Sequence, residues 1–336
     1  MVAFALPRAV KVDPFIVALL ATVAVAAVLP CAGTFARVMG VITDAAIALL
    51  FFLHGAKLSR QAILAGIGAW RIHGLVFGAT FVLFPVMGLL LRAASHGWLN
   101  PIIADGILFL CLLPSTVQSS IAFTSIARGN VPAAVCSASA SNLLGIFITP
   151  LLTGLFLLRG MHGGISLHSV EDIALQLLLP FVLGHLSRPF TRTVLEQHKM
   201  LVGRVDRSAI LLVVYTAFSA AVIEGLWHKF SLGDLAWTLG LDGLILALAL
   251  TATTWVSRRA GMSREDEITI VFCGSKKSLA SGVPMAGVLF PPALLGPMIV
   301  PLMLYHQMQL MVCALIAQRY AATARVKQQA ETAPAS

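Results

Sequence analysis

The run ITIVFCGSKKSL, from Ile268 to Leu279, sets two adjacent lysines inside an apolar stretch that continues to Phe290. A charged group at bilayer depth costs about 2.5 to 3.5 kcal/mol on the mildest insertion scale. Two such groups, Lys276 and Lys277, imply a cavity, a counter-ion or a task. Gly274 and Ser275 just before them predict that the helix is interrupted there. An interrupted helix carrying polar groups at mid-membrane is the pattern of a transport site.

The surrounding composition is that of a membrane protein. Of 336 residues 58% are hydrophobic and 11% charged, with a mean hydropathy of +0.91. Soluble domains carry about 25% charged residues. The first apolar run, Phe15 to Leu29, reads as a retained span, although an uncleaved signal anchor has the same pattern. The net charge of +9 lies in loops between spans, where it sets orientation and does not indicate nucleic acid. Cys31, Cys111, Cys136, Cys273 and Cys313 are scattered without a CxxC pair, which supports neither a disulfide framework nor a zinc site.

Ten apolar spans are expected, near 14–30, 38–54, 72–91, 102–126, 131–158, 170–187, 208–226, 235–256, 266–289 and 294–318. With both termini in the cytoplasm, only Arg37, Arg92, Arg159 and Lys229 of the 23 Lys and Arg fall in outer loops, apart from the two intramembrane lysines. That bias orients the chain and favours an even span count. The polar, basic segment 187–207 reads as the longest cytoplasmic loop, joining two halves. The stretch 320–336, rich in Ala, Gln and Lys, reads as a disordered cytoplasmic tail. Five spans per half give two inverted repeats, about 14–158 and 170–318, within one integral membrane domain spanning 1–336. The interrupted spans are the fourth and the ninth, at matching places.

The fourth span is interrupted at Pro114, followed by Ser115, Thr116, Gln118, Ser119 and Ser120. Proline removes a backbone donor and clashes with the preceding turn. Ser and Thr there can cap a new half-helix, whose amides present partial positive charge. A proline kink patched by hydroxyls is the other reading of the same residues. In the ninth span adjacent residues point about 100° apart, so Lys276 and Lys277 cannot share one role. Ser275 and Ser278 flank them.

The fifth span adds Ser137, Ser139, Ser141 and Asn142, and the tenth adds Tyr305, His306, Gln307 and Gln309. Asn142 could hold an ion or bond across to the fourth span. His306 could be a proton-linked group or a structural donor. Asp44 and Glu224 are the candidate buried acids to pair with a lysine, and Asp105 reads as solvated near the outer end of span four.

At the two breaks the chain resembles the bile acid:sodium symporter superfamily, in its divergent bile-acid-cotransporter-like branch. The resemblance lies in Leu113-Pro114-Ser115-Thr116 with Gln118-Ser119-Ser120, in Arg128-Gly129-Asn130-Val131, in Thr149-Pro150-Leu151, and above all in the run Cys273 to Gly282. It implies an all-α fold in which spans four and nine cross at the centre of a core of spans three to five and eight to ten. Spans one, two, six and seven would form a panel beside it. It also implies a secondary active transporter of a small organic anion, working by alternating access in the bilayer of a bacterial inner membrane. Sodium ligands in such relatives correspond to Ser119, Ser120 and Asn142, with Ser139 and Ser141 nearby. Phe272 and Lys276, however, stand where sodium-coupled relatives carry Glu and Gln. A cation site that loses a carboxylate and gains an ammonium is not the same site. Lys276 would replace sodium, or couple transport to protons. No HExxH, GxSxG or P-loop pattern occurs, so an enzyme is not indicated, and no cofactor is expected beyond a coupling Na+ or H+. A regulatory or channel-like membrane protein is the alternative to a carrier.

Overall fold

The computed structural model describes residues 14–57, 67–157, 177–225 and 231–332. Among these the regular structure is entirely helical. The elements are α1 (Pro14–Val28), α2 (Gly33–Lys57), α3 (Trp70–Gly78), a π-helical turn (Ala79–Leu83), α4 (Phe84–Ala94), α5 (Pro101–Leu112), α6 (Gln118–Ile126), α7 (Val131–Phe156), α8 (Leu179–Gln197), α9 (Lys199–Ile223), α10 (Leu232–Arg259), α11 (Arg264–Gly274), α12 (Leu279–Leu289) and α13 (Pro292–Thr332). Among the described residues six helical stretches are long and apolar enough to cross a membrane: Gly33–Lys57, Trp70–Ala94, Val131–Phe156, Lys199–Ile223, Leu232–Arg259 and Pro292–Thr323.

Local chemistry sets the helix starts. Asn100 accepts from the Ile102 amide ahead of Pro101, and Asn130 accepts from the Ala133 amide ahead of Pro132. Ser231 and Asp234 form a reciprocal capping box on α10. Ser263 caps α11, whose first turn carries Glu265, Asp266 and Glu267 at the positive end of its dipole.

The helices form two packed sets. One contains α1, α2, α8 and α9, and the other contains α3–α7 with α10–α13. They meet where α9 lies along α12 and α13. Within the first set Gly55 and Gly184 allow α2 and α8 to touch backbone to backbone. A Cβ on Gly55 would overlap the Phe181 carbonyl oxygen, and one on Gly184 the Phe52 carbonyl oxygen. Close crossings through small residues are how helices associate where lipid gives no hydrophobic drive.

Two sequence expectations change. Segment 187–207 is not a loop: α8 runs to Gln197 and α9 starts at Lys199. A helix leaving the membrane keeps its own hydrogen bonds and tolerates polar residues, so polarity there is a poor sign of a loop. Likewise α13 continues through the expected disordered tail as far as Thr332. Ala, Gln, Lys and Arg are strong helix formers, and extending an existing helix needs no new nucleus. The expected sixth span, 170–187, begins outside the described residues.

Candidate functional site

Both expected interruptions are present. Residues 113–117 separate α5 from α6, and residues 275–278 separate α11 from α12. Each break frees carbonyls that a continuous helix would have satisfied, and buried backbone groups need partners. The two breaks supply them to each other. Ser120 Oγ donates to the Phe272 carbonyl at 2.9 Å, and Ser115 Oγ donates to the Cys273 carbonyl. In return, the Ser278 amide donates to the Pro114 carbonyl at 3.0 Å, and Lys277 reaches the carbonyls of Cys111 and Leu113. Neighbouring helices complete the bracing. Thr149 on α7 donates to the Leu112 carbonyl, Ser141 accepts from the Ser115 amide, and Tyr305 donates to the Ser275 carbonyl. Gln309 pairs with the Lys277 backbone in both directions, its oxygen accepting from the amide and its nitrogen donating to the carbonyl, each at 2.9 Å.

Both lysines are fully buried, and they differ in surroundings. Lys276 Nζ donates to the Ser119 carbonyl at 2.8 Å and sits 3.9 Å from the Phe123 ring centroid and 5.4 Å from that of Phe272. Lys277 Nζ donates to three carbonyls, those of Thr80 and Cys111 at 3.0 Å and Leu113 at 2.6 Å, with the Phe84 ring centre 4.1 Å away. Neither lysine is among the residues lining the large cavity described next, although the Ser119 that receives Lys276 is.

A cavity of about 630 Å³ lies between the two helix sets. One wall consists of the first turns of both half-helices, Thr116 to Ser119 and Ser278 to Ser281, together with Asn142 and His306. The facing wall brings His54 from α2 and Arg204, Asp206 and Arg207 from α9. Asn142 accepts from Ser281 Oγ at 2.6 Å, which fixes an amide at the cavity surface. A second cavity of about 470 Å³, almost wholly apolar, lies between α1, α9 and α13, and Leu279 and His306 line both.

The expected site residues therefore divide. Thr116, Gln118, Ser119, Asn142, Ser278 and His306 line the larger cavity. Ser115, Ser120, Ser141 and Ser275 are buried behind it and serve backbone groups, with Ser275 Oγ donating to the Val271 carbonyl. Of the suggested trio, Ser119 and Asn142 line the cavity and Ser120 lies buried behind it. Gln307 lines the apolar cavity instead, and Ser139 lines neither. The acids differ too. Asp44 and Glu224 are exposed and pair with neither lysine, while Asp105 is bound to Arg92 at 2.7 Å. The buried acids are Glu267, which accepts from Arg258, Arg264 and Tyr320, and Asp242, whose two oxygens have no hydrogen-bond partner among the described residues. Which acid is buried depends on the helix face that packs, and local sequence does not carry that.

Sequence reasoning gave Gln309 no role beyond a polar residue at depth, and passed over Ser281, Arg204 and Arg207. Ser281 stands three residues after the α12 cap and Gln309 three after His306, one helical turn in each case. Arg204 and Arg207 share the same spacing, a helical signal inside a segment read as loop.

Residues 13–322 match the sequence profile of the SBF-like CPA transporter family. An uncharacterized protein of Pseudomonas aeruginosa is 59% identical over 315 residues, covering 92% of this chain and 93% of its own. YfeH of Escherichia coli, whose name proposes a symporter, is 53% identical over 309 residues, 92% of each chain. The sodium/bile acid cotransporter 7 of Danio rerio is 28% identical over 278 residues, 81% of each chain.

Proposed function

Because the chain belongs to the SBF-like CPA transporter family, we propose that it is a secondary active transporter that moves a small organic anion by alternating access. The matching family is described as a transporter family, and two of the relatives are named as a putative symporter and a sodium/bile acid cotransporter. The observation that carries the choice of an anion is the polarity of the 630 Å³ cavity. Two half-helix N-termini open onto it, each the positive end of a helix dipole. Arg204 and Arg207 stand on the opposite wall, against one acid there, Asp206. Asp206 is itself bound to Lys57. The anion would lie between the core and the panel, with Asn142 and Ser281 at its polar end.

The same proposal includes ten spans arranged as inverted repeats of five, the matching breaks being its support. Both termini lie in the cytoplasm, at a bacterial inner membrane. His54, Arg204 and Arg207 are at the cytoplasmic ends of α2 and α9, so the cavity opens inward. Sodium is not the coupling ion in this proposal. Phe272 turns an aromatic ring toward Lys276 at the place where sodium-coupled relatives carry a carboxylate. A fixed ammonium takes the place of sodium, or protons drive the cycle.

The test is uptake of organic anions into sealed proteoliposomes, with sodium, potassium and pH gradients imposed in turn. Saturable uptake with counterflow is expected, without a sodium requirement. Flux that does not saturate and shows no counterflow favours the channel-like alternative, and no flux with any anion favours the regulatory one.

A further inference from the structure

Every acceptor around the Lys277 ammonium comes from a place where a helix stops being an α-helix. Cys111 and Leu113 lie at the C-terminal end of α5, where the last carbonyls have no amide ahead of them. Thr80 lies in the π-helical turn, where the i→i+4 ladder is disturbed. All three carbonyls point at one spot, at distances of 2.6 to 3.0 Å from the nitrogen. The Phe84 ring presents its face from 4.1 Å, the arrangement that attracts cations. The α5 terminus adds the negative end of its dipole. Lys277 has no carboxylate within ion-pair distance among the described residues. These are the ingredients of a monovalent-cation site: neutral carbonyl dipoles, a ring and a helix C-terminus, closed off from water. The side chain fills that site from within. Lys276 does not resemble it, with one carbonyl and two rings around its nitrogen.

We propose that Lys277 is a tethered monovalent cation, and that the carbonyls of Thr80, Cys111 and Leu113 form a cation site which binds a free alkali-metal or primary ammonium ion once the side chain is shortened. The site itself does not depend on the transport reading. Its consequence for coupling, that the permanently bound ammonium makes an external cation unnecessary, does rest on it.

The purified full-length Lys277→Ala protein is melted in detergent in matched choline, sodium, potassium, ammonium and propylammonium chlorides. Propylammonium is the fragment that the substitution removes, whereas choline is too bulky to enter. The variant is expected to melt lowest in choline. Its melting temperature should rise with the logarithm of the concentration of a small cation, most with propylammonium, as for a ligand that binds only the folded state. The parent protein and Lys276→Ala should show no such ranking. Equal melting of Lys277→Ala in all five salts overturns the site, and so does an equal response in Lys276→Ala, which would mark a general salt effect. If Lys277→Ala does not fold, Lys277→Gln leaves the site part-filled and must still melt higher in potassium or ammonium than in choline. A Gln variant indifferent to the salt overturns the site as well. In proteoliposomes the parent should take up anion equally in sodium, potassium and choline. A sodium requirement there overturns the coupling role even if the melting ranks as expected, and absence of any flux counts against the carrier, not against the site.

Discussion

Gln309 offers a sharp test of how the breaks are held, because the same change two residues away should do the opposite. Its side chain is fully buried, accepting from the Lys277 amide and donating to both the Lys277 carbonyl and His306 Nδ1, each at 2.9 Å. Gln309→Leu keeps much of the volume and strips all three contacts. A buried backbone donor or acceptor left without a partner costs about 1–3 kcal/mol, so the two Lys277 groups alone predict a loss of about 2–6 kcal/mol. Folded proteins hold only about 5–15 kcal/mol in all, so this variant should be severely destabilised. Gln307→Leu makes the identical chemical change on the same helix. There the side-chain oxygen is already buried without a hydrogen-bond partner among the described residues, and the residue faces the apolar cavity. Its removal should be neutral, or stabilising by up to about 1 kcal/mol. The assay is equilibrium unfolding of both variants in mixed detergent, followed by tryptophan fluorescence. Equal losses, or a larger loss at Gln307, would refute the view that Gln309 stands in for missing helix hydrogen bonds.

Gly184→Leu should abolish accumulation of folded protein in the membrane, because its Cβ alone overlaps the Phe52 carbonyl oxygen, while Gly40→Ala, with open space around it, should accumulate normally; fluorescence-detected size exclusion compares them. Arg204→Gln should leave melting unchanged and raise KM for an anionic substrate up to about fivefold, the scale of about 1 kcal/mol for an exposed charge contact, with kcat held. Lys276→Gln and Lys276→Ala should each abolish saturable uptake while the protein still elutes as a folded species, and normal uptake in both would remove Lys276 from the mechanism. Glu267→Gln should cost about 1–3 kcal/mol in unfolding, since it breaks contacts to Arg258, Arg264 and Tyr320 at a carboxylate that is 6% exposed, less than a wholly buried pair because both arginines reach solvent.

The two breaks were legible because their causes are local. Pro114 cannot donate to the preceding turn, and Gly274-Ser275 weakens a helix just where two lysines would sit at membrane depth, so position in the chain sufficed. What each broken end bonds to was not legible. Ser120, read in sequence as an ion ligand, also donates to the Phe272 carbonyl, a partner 152 residues away that no local signal announces. Lys276 drew notice as the stand-in for a metal, yet the three-carbonyl site belongs to Lys277, because Thr80 contributes from a π-helical turn that no residue in 79–83 announces. Arg204 and Arg207 were taken for loop charges because polarity was used as a proxy for irregular backbone. Asp242 was passed over since burial of an acid follows from the packing of α10, which is a property of the assembled helices.

The exchange of partners between the breaks also limits where the molecule can move. Serines of the α5–α6 break satisfy α11, and Lys277 with Ser278 satisfies α5, so neither break can open without exposing carbonyls on the other. Each exposed pair would cost several kcal/mol in a water-free interior. Between the two helix sets the contacts are of another kind. Gly296 lies against the Ala217 carbonyl and Gly287 against Val213 and Ile47, a smooth apolar face, and none of the hydrogen bonds and ion pairs described above crosses it. Sliding there replaces one apolar contact by another, which is the property of a shear interface. An alternating-access cycle in this chain would therefore carry α5, α6, α11 and α12 as one unit past α9. The cavity that holds Asn142, Ser281 and Arg204 lies on that boundary, so the two walls that would contact an anion belong to the two parts that move.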